Sequence, residues 1–365
     1  MKCKIAILII SLLLCTAGSI FTSCESVDVT GAILKIDTAA VDSLLADYDL
    51  AQGPGASVLV IHQGQVVFSK GYGLANLAMD TPVSAVTNFR LASITKQFTA
   101  MCIMILYSRG QLDYEQALTD IFPDFPGYGN AITLRHMLHH TSGLRDYFSL
   151  IPDTVTQQLR DQDVLDLMMV QNSTYFTPGT EYRYSNSGYA LLALVVEHIS
   201  GQSFADFLHE NIFLPLDMNG TVAHEEGIST IFNRAYGYTF SNGAYVLNDQ
   251  SLTSAVLGDG GIYSSTMDMV AWDQALYTAQ LVPYDVINEA FISGTLTSGS
   301  ETGYGFGWVL DTYLYRNRVS HTGSTTGFKN VYQRYPDAGL SIIVLTNRSS
   351  GSPRDIANGI AQTIL

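Results

Sequence analysis

The chain predicts a mixed α/β (α+β) fold: an antiparallel sheet flanked by helices, built from both chain ends, with a mostly helical domain inserted between them. Three patterns carry this. Strand-like runs at 56–61 and 66–70 flank His62-Gln63-Gly64-Gln65, which reads as a hairpin. Strand signals then lapse and return only near the end, at 306–310, 318–321, 329–335 and 341–346. Between them the apolar period is helical, clearest at 133–140, 164–170, 189–199, 204–211 and 267–279. Hairpin-linked strands pair antiparallel, which sets the sheet type.

From the N-terminus, Lys2 and Lys4 form a basic region ahead of an apolar stretch at 5–14. That stretch is shorter than the ~20 residues a membrane helix needs, so residues 1–23 read as a secretory signal. Phe21-Thr22-Ser23-Cys24 resembles a lipobox, with phenylalanine where leucine is commoner. Cys24 is therefore expected to carry lipid, and 24–35 to act as a tether that holds the protein on the outer, periplasmic or extracellular side of a bacterial membrane. Asp37 or Thr38 can cap a first helix with Val41, Leu44, Leu45 and Tyr48 on one face. Ser265 followed by Asp268 resembles a capping box for the helix at 267–279. A last helix spans 353–365. The expected domains are a discontinuous α/β unit from 36–92 and 300–365 and an inserted helical unit from 93–299.

Composition narrows the function. The 365 residues are 47% hydrophobic with net charge −15, enough for a large core and a poor match to nucleic acid or an anionic lipid surface. Of four cysteines, Cys3 and Cys15 leave with the signal and Cys24 is assigned to lipid, so Cys102 is left in an apolar helix as core packing. No disulfide framework is available.

The chemistry centres on Ser93 and Lys96, within Phe89-Arg90-Leu91-Ala92-Ser93-Ile94-Thr95-Lys96-Gln97-Phe98 and ahead of the apolar run Met101 to Leu106. A serine hydroxyl needs a base, and an amine at i+3 on a helix lies on the same face. Burial of that helix would lower the lysine's pKa from ~10.4. By itself S-x-x-K is a weak signal, and a capped helix with a snorkelling lysine gives the same letters. Its partners strengthen it. Tyr184-Ser185-Asn186 opens onto the apolar helix from Tyr189, and His321-Thr322-Gly323 lies in a strand-like run ending Ser324-Thr325-Thr326-Gly327.

With these motifs the chain resembles the serine β-lactamase and DD-peptidase superfamily, in its class C-like branch. Pro54-Gly55-Ala56-Ser57-Val58-Leu59-Val60, His140-Thr141-Ser142-Gly143-Leu144, Gly258-Asp259-Gly260-Gly261 and Tyr304-Gly305-Phe306-Gly307-Trp308 resemble further landmarks, so the likeness runs from about Ile36 to the C-terminus. It implies a β-lactamase/transpeptidase-like fold with the active site between the two units. It implies that Ser93 accepts the acyl group and that Lys96 and Tyr184 share the proton work, with the resting base left open. Asn186, His321, Thr322 and Gly323 would bind substrate, and the backbone N–H groups of Ser93 and Ser324 would form the oxyanion hole.

The spacing of His136, His139 and His140 invites a metal, yet the glutamate of a zincin helix is missing, so no metal and no cofactor are expected. Histidine at 321 replaces the lysine usual in β-lactamases of this branch. With an ordinary pKa near ~6.5 it predicts slow β-lactam hydrolysis and tighter binding of carboxylate substrates toward pH 6, with the Thr322 hydroxyl sharing that contact. The leading reading is a membrane-anchored D-amino-acid peptidase of DD-carboxypeptidase type. An esterase or β-lactamase using the same acyl-enzyme is the alternative, with a peptidoglycan-type peptide, ester or β-lactam as substrate. A non-catalytic surface-binding lipoprotein is the alternative from another class.

Overall fold

Both ends of the chain meet in one six-stranded antiparallel sheet. A computed structural model describes residues 34–365; the expected signal at 1–23, Cys24 and positions 25–33 of the expected tether lie outside the described residues. The strands are β1 (Ala56–His62), β2 (Gln65–Tyr72), β3 (Val309–Tyr313), β4 (Arg316–Thr325), β5 (Phe328–Tyr335) and β6 (Leu340–Thr346), in the order β3-β4-β5-β6-β1-β2. Pairing of β1 with β6, Val58 opposite Val344 and Ile61 opposite Ser341, ties the first hairpin to the last. The β1–β2 turn places Gln63 and Gly64 at φ 51° and 73°, the left-handed pair that matches strand twist in a two-residue hairpin.

Period-two alternation sorts the apolar strand runs onto two covered faces. Val58, Val60, Ile342 and Val344 pack with Val41, Ile356 and Ile360 from the terminal helices α1 (Thr38–Leu44) and α7 (Pro353–Ile364). Leu59, Ile61, Ile343 and Leu345 point the other way, into the core shared with α2 (Lys96–Ser108). Every residue of α2 from Lys96 to Leu106 is buried, as expected of a helix that is apolar nearly all round. Against α2 pack α4 (Asn186–Ser200) and the short α5 (Leu257–Gly260); α3 (Asp161–Met169) packs on α4.

Several elements differ from expectation. The strand expected at 306–310 begins only at Val309, because Tyr304–Trp308 is a loop pressed against the start of α2. Gly307 has φ 79°, and a Cβ there would meet the Lys96 carbonyl oxygen at 2.8 Å. The helix expected at 267–279 is α6 (Asp268–Ala275). Its capping box is half formed: Ser265 Oγ accepts from the Asp268 N–H at 3.1 Å, while the Asp268 carboxylate turns to the Gly220 N–H and the Thr221 hydroxyl. Leu44, expected on the buried face of α1, stays 37% exposed because α1 ends there and a 3-10 turn (Ala46–Tyr48) carries Tyr48 inward. The segment between the sheet's two halves also contains strands, with Phe89–Arg90, Ile262–Ser264 and Val222–Ala223 forming a small sheet of their own.

Candidate active site

Ser93 sits on a four-residue 3-10 turn, Ala92–Thr95, that runs straight into α2. The expected single helix carrying both motif residues is thus split between a tight turn and a helix. Residues i and i+3 eclipse in a 3-10 turn, so Ser93 and Lys96 still meet. Ala92, just before the serine, has φ 52°, a left-handed conformation that is costly for a residue with a Cβ. Strand β4 passes very close on this side: a Cβ at Gly323 would lie 2.0 Å from the Leu91 carbonyl oxygen. Only glycine admits the strand here.

Lys96 has no exposed surface, and its ammonium donates to three acceptors. These are Ser93 Oγ at 3.2 Å, Asn186 Oδ1 at 2.9 Å and the Asp259 carbonyl at 2.8 Å. Loss of hydration lowers its pKa to about 8, against the opposing pull of the Asp259 and Asp146 carboxylates. The Tyr184 hydroxyl faces Ser93 as well, and burial raises its pKa above the ordinary phenol value while the serine opposes the rise. The ammonium lies 5.0 Å from the Tyr184 ring centre, so lysine and tyrosine flank one hydroxyl. Ser185 Oγ caps α4 by accepting from the Gly188 N–H, which fixes Tyr184 and Asn186 at the start of a rigid helix.

The supporting contacts come mostly from residues that no motif marks. Asp146 Oδ2 accepts from both the backbone and side-chain N–H of Asn186 at 3.4 Å, turning the amide oxygen toward Lys96. Asp259 uses its carbonyl for Lys96, and its buried carboxylate accepts from the Tyr147 hydroxyl at 2.8 Å. Burial raises the Asp259 pKa, with Lys96 opposing. The turn that carries Asp259 is gripped in turn by Asp161, which accepts from the N–H groups of Leu257 at 2.8 Å and Gly258 at 3.0 Å. A single acid among many in a polar stretch gives no sequence signal, so Asp146 and Asp161 escape a motif search. Asp259 and Tyr304 lie within the landmark stretches Gly258–Gly261 and Tyr304–Trp308, whose letters alone specify no contacts.

The third motif divides. Ser324 and Thr325 line a cavity of ≈ 220 Å³ together with Ser93, Tyr184 and Asn186. Lys329, opposite Ser324, directs its carbonyl toward β6, where Thr346 Oγ1 donates to it. Because ladder groups alternate in direction, the Ser324 N–H turns away from β5, on the open side of β4. Thr322 is exposed and lies two residues from Ser324, hence on the same strand face. His321 is buried and is not part of the cavity lining. Its expected titration near neutrality does not survive burial: desolvation and the neighbouring Lys96 charge lower its pKa to about 3.

The three histidines whose spacing invites a metal each have separate partners. His136 Nδ1 accepts from the Thr133 N–H, His139 Nδ1 meets the Tyr304 carbonyl, and His140 Nδ1 accepts from the Ser185 N–H. Among the described residues no cluster of three or more His, Cys, Asp or Glu is arranged to hold an ion.

A central antiparallel sheet, a helical layer on it, and a serine contacted by a buried lysine between them define a serine hydrolase. The Beta-lactamase family model matches residues 41–364, and the chain belongs to that family. Penicillin-binding protein 4* of Bacillus subtilis (strain 168) is 36% identical over 307 residues, 80% of this chain and 68% of that protein. A D-aminopeptidase of Gluconobacter oxydans (strain 621H) is 28% identical over 333 residues, covering 86% of this chain and 59% of the relative. The chain thus spans about three-fifths of the length of that D-aminopeptidase. Among solved structures, a penicillin-binding protein from Bacillus halodurans gives a TM-score of 0.75 at 27% identity over 89% of this chain and 98% of that one.

Proposed function

We propose that the protein hydrolyses D-amino-acid peptides or amides of the peptidoglycan type through an acyl-enzyme on Ser93. The observation that carries this is the Lys96 amine, 3.2 Å from Ser93 Oγ, buried and held by Asn186 and Asp259. A desolvated amine with a pKa of about 8 is a competent base near neutrality, and better matched to that task than Tyr184. In its neutral form Lys96 takes the Ser93 proton as Oγ bonds to the substrate carbonyl carbon. The carbonyl oxygen becomes an oxyanion facing the N–H groups of Ser93 and Ser324, each worth roughly 3–4 kcal/mol in such a role. Collapse breaks the C–N bond, and the departing amine takes a proton through the Tyr184 hydroxyl. Water then adds to the ester by the same relay in reverse and releases the acid.

Two points favour peptides or amides over β-lactams: relatives named as D-aminopeptidases, and a neutral His321 where a β-lactamase carries a cation. The test is covalent labelling with a fluorophosphonate, followed by turnover of D-Ala-D-Ala peptides, D-amino-acid amides, simple esters and penicillins. Ser93→Ala should abolish both labelling and turnover; labelling that persists in this variant refutes the assignment. Penicillin turnover rivalling that of the peptides would make the protein a β-lactamase instead.

Lipid anchoring at Cys24, on the outer side of a bacterial membrane, is part of the same proposal. It is supported by Lys2, Lys4, the apolar stretch at 5–14 and the lipobox-like Phe21-Thr22-Ser23-Cys24. Cys24→Ser should release the protein from the membrane fraction, and a lipid-free mature N-terminus by mass spectrometry would defeat it.

A further inference from the structure

Beside the Ser93 cavity lies a second one of ≈ 410 Å³, and the two share Phe148, Thr253, Ser324 and Thr325. Leu252 and Thr326 extend it away from the serine, and no ionisable side chain is part of its lining. Phe148 is 52% exposed and Leu252 36% exposed, so apolar surface faces solvent at the edge of a polar cleft. A single exposed apolar residue means little, but two that converge on a concavity continuous with the reactive serine form a binding feature.

The walls are fixed from behind. Phe148 stacks on Tyr147 with ring centres 4.6 Å apart, and its N–H is capped by Asp146 Oδ1 at 3.1 Å. The loop bearing Leu252 and Thr253 is held by the Leu159 N–H, which donates to the Leu252 carbonyl at 2.8 Å. Arg90 also holds it, donating to the Ser254 carbonyl at 2.6 Å and to its hydroxyl. The hairpin tip carrying Thr326 cannot retreat, because Gly327 lies against the backbone of Gly237 and Asn248, where a Cβ would be 2.3 Å from an oxygen.

We propose that this cavity is the subsite for an apolar side chain, aromatic or branched aliphatic, carried by the substrate next to the carbonyl that Ser93 attacks. The proposal rests on Ser93 being the nucleophile and goes on to name what its acyl donor carries. A charged side chain there would lose water with no counter-charge to replace it. The charged groups of the adjoining cavity are already engaged, Arg90 by Ser254 and Gly260, and the Asp259 carboxylate by Tyr147.

The experiment measures kcat/KM for p-nitroanilides of D-Ala, D-Leu, D-Phe, D-Lys and D-Asp with the wild type, Leu252→Asp and Phe148→Ala. D-Leu or D-Phe should exceed D-Ala by about tenfold or more, the scale at which apolar pockets discriminate, with D-Lys and D-Asp lowest. Leu252→Asp should move D-Lys above D-Leu and D-Phe, and Phe148→Ala should flatten the aromatic preference. Thermal unfolding and fluorophosphonate labelling of each variant show whether it is folded and reactive. A flat or charge-led ranking, a ranking untouched by both variants, or no turnover of any of the five overturns the subsite. Failure of the parent reading looks different: turnover and labelling would then survive Ser93→Ala.

Discussion

The Tyr304 hydroxyl lies 3.0 Å from Nε2 of His321, and Nδ1 of the same ring lies 2.6 Å from the Thr322 carbonyl. A carbonyl can only accept, so Nδ1 carries the proton, and Nε2 then accepts from Tyr304. Both nitrogens are satisfied within the protein while the ring is neutral.

This removes the pH sensitivity that histidine at 321 suggests. With its pKa lowered to about 3 by burial and by Lys96, the ring stays neutral from pH 8 down past pH 5. KM for a carboxylate-bearing substrate should therefore show no step near pH 6.5. Affinity rising with a midpoint there would mean the ring protonates and leaves Tyr304.

Lys96 should set the ascending limb of the pH profile. Its pKa is lowered to about 8, and the proposed mechanism uses the neutral amine, so kcat/KM should climb through pH 8 and be greater at pH 9 than at pH 7. Lys96→Met fills a similar volume without the charge. It should cost about 10²–10⁴ in labelling rate, and some thermal stability as well, about 1–3 kcal/mol for each buried acceptor, Asn186 Oδ1 and the Asp259 carbonyl, left without its donor. An unchanged labelling rate would take the base role away from Lys96.

Gly323→Ala tests the close passage of β4 over the Ser93 turn. The new methyl would meet the Leu91 carbonyl at 2.0 Å and Ala92 Cβ at 3.3 Å, so strand and turn must separate. Overpacking of this kind costs about 1–3 kcal/mol. It also pulls apart the two N–H groups that would hold the oxyanion, so kcat should fall further than stability alone explains. Full activity in a folded Gly323→Ala protein would show that the Ser324 N–H is not needed.

Asp161 acts at a distance, through the Asp259 turn. Burial raises its pKa to about 8 while the Leu257 and Gly258 N–H groups favour its charged form. Asp161→Ala leaves both N–H groups buried without an acceptor, at about 1–3 kcal/mol each. Asp161→Asn keeps one acceptor oxygen and should lose about half as much. In urea unfolding the two variants should rank in that order. Both should shift the Lys96 limb, because the Asp259 carbonyl is one of its three acceptors. Unshifted limbs in both would make Asp161 a purely structural clamp.

The landmarks stand out in the chain because each rests on a local requirement. Ser93 and Lys96 are three residues apart, Tyr184 and Asn186 open an apolar helix, and Gly323 is flanked by a threonine and a serine in a strand. The hairpin at Gln63-Gly64 and the two-sided apolar alternation of 58–61 and 342–345 are likewise local in origin, since period and turn residues are properties of short segments. Boundaries are less legible. Tyr304–Trp308 alternates as a strand would, yet it is a loop because Gly307 must lie against Lys96, more than 200 residues away in sequence.

By itself, then, the order of residues determined the fold class, the sheet from two chain ends and which serine, lysine and tyrosine the fold would bring together. Tertiary structure alone decided their electrostatics. Burial brings Lys96 to about 8 and His321 to about 3, because water is excluded from both and the lysine charge lies near the ring. It also recruited Asp146, Asp161 and Tyr304, whose partners are distant in sequence: Asp146 reaches Asn186 across 40 residues and Asp161 reaches Leu257 across 96. A lone acid or tyrosine carries no periodicity and no spacing, and only the folded chain gives it a neighbour.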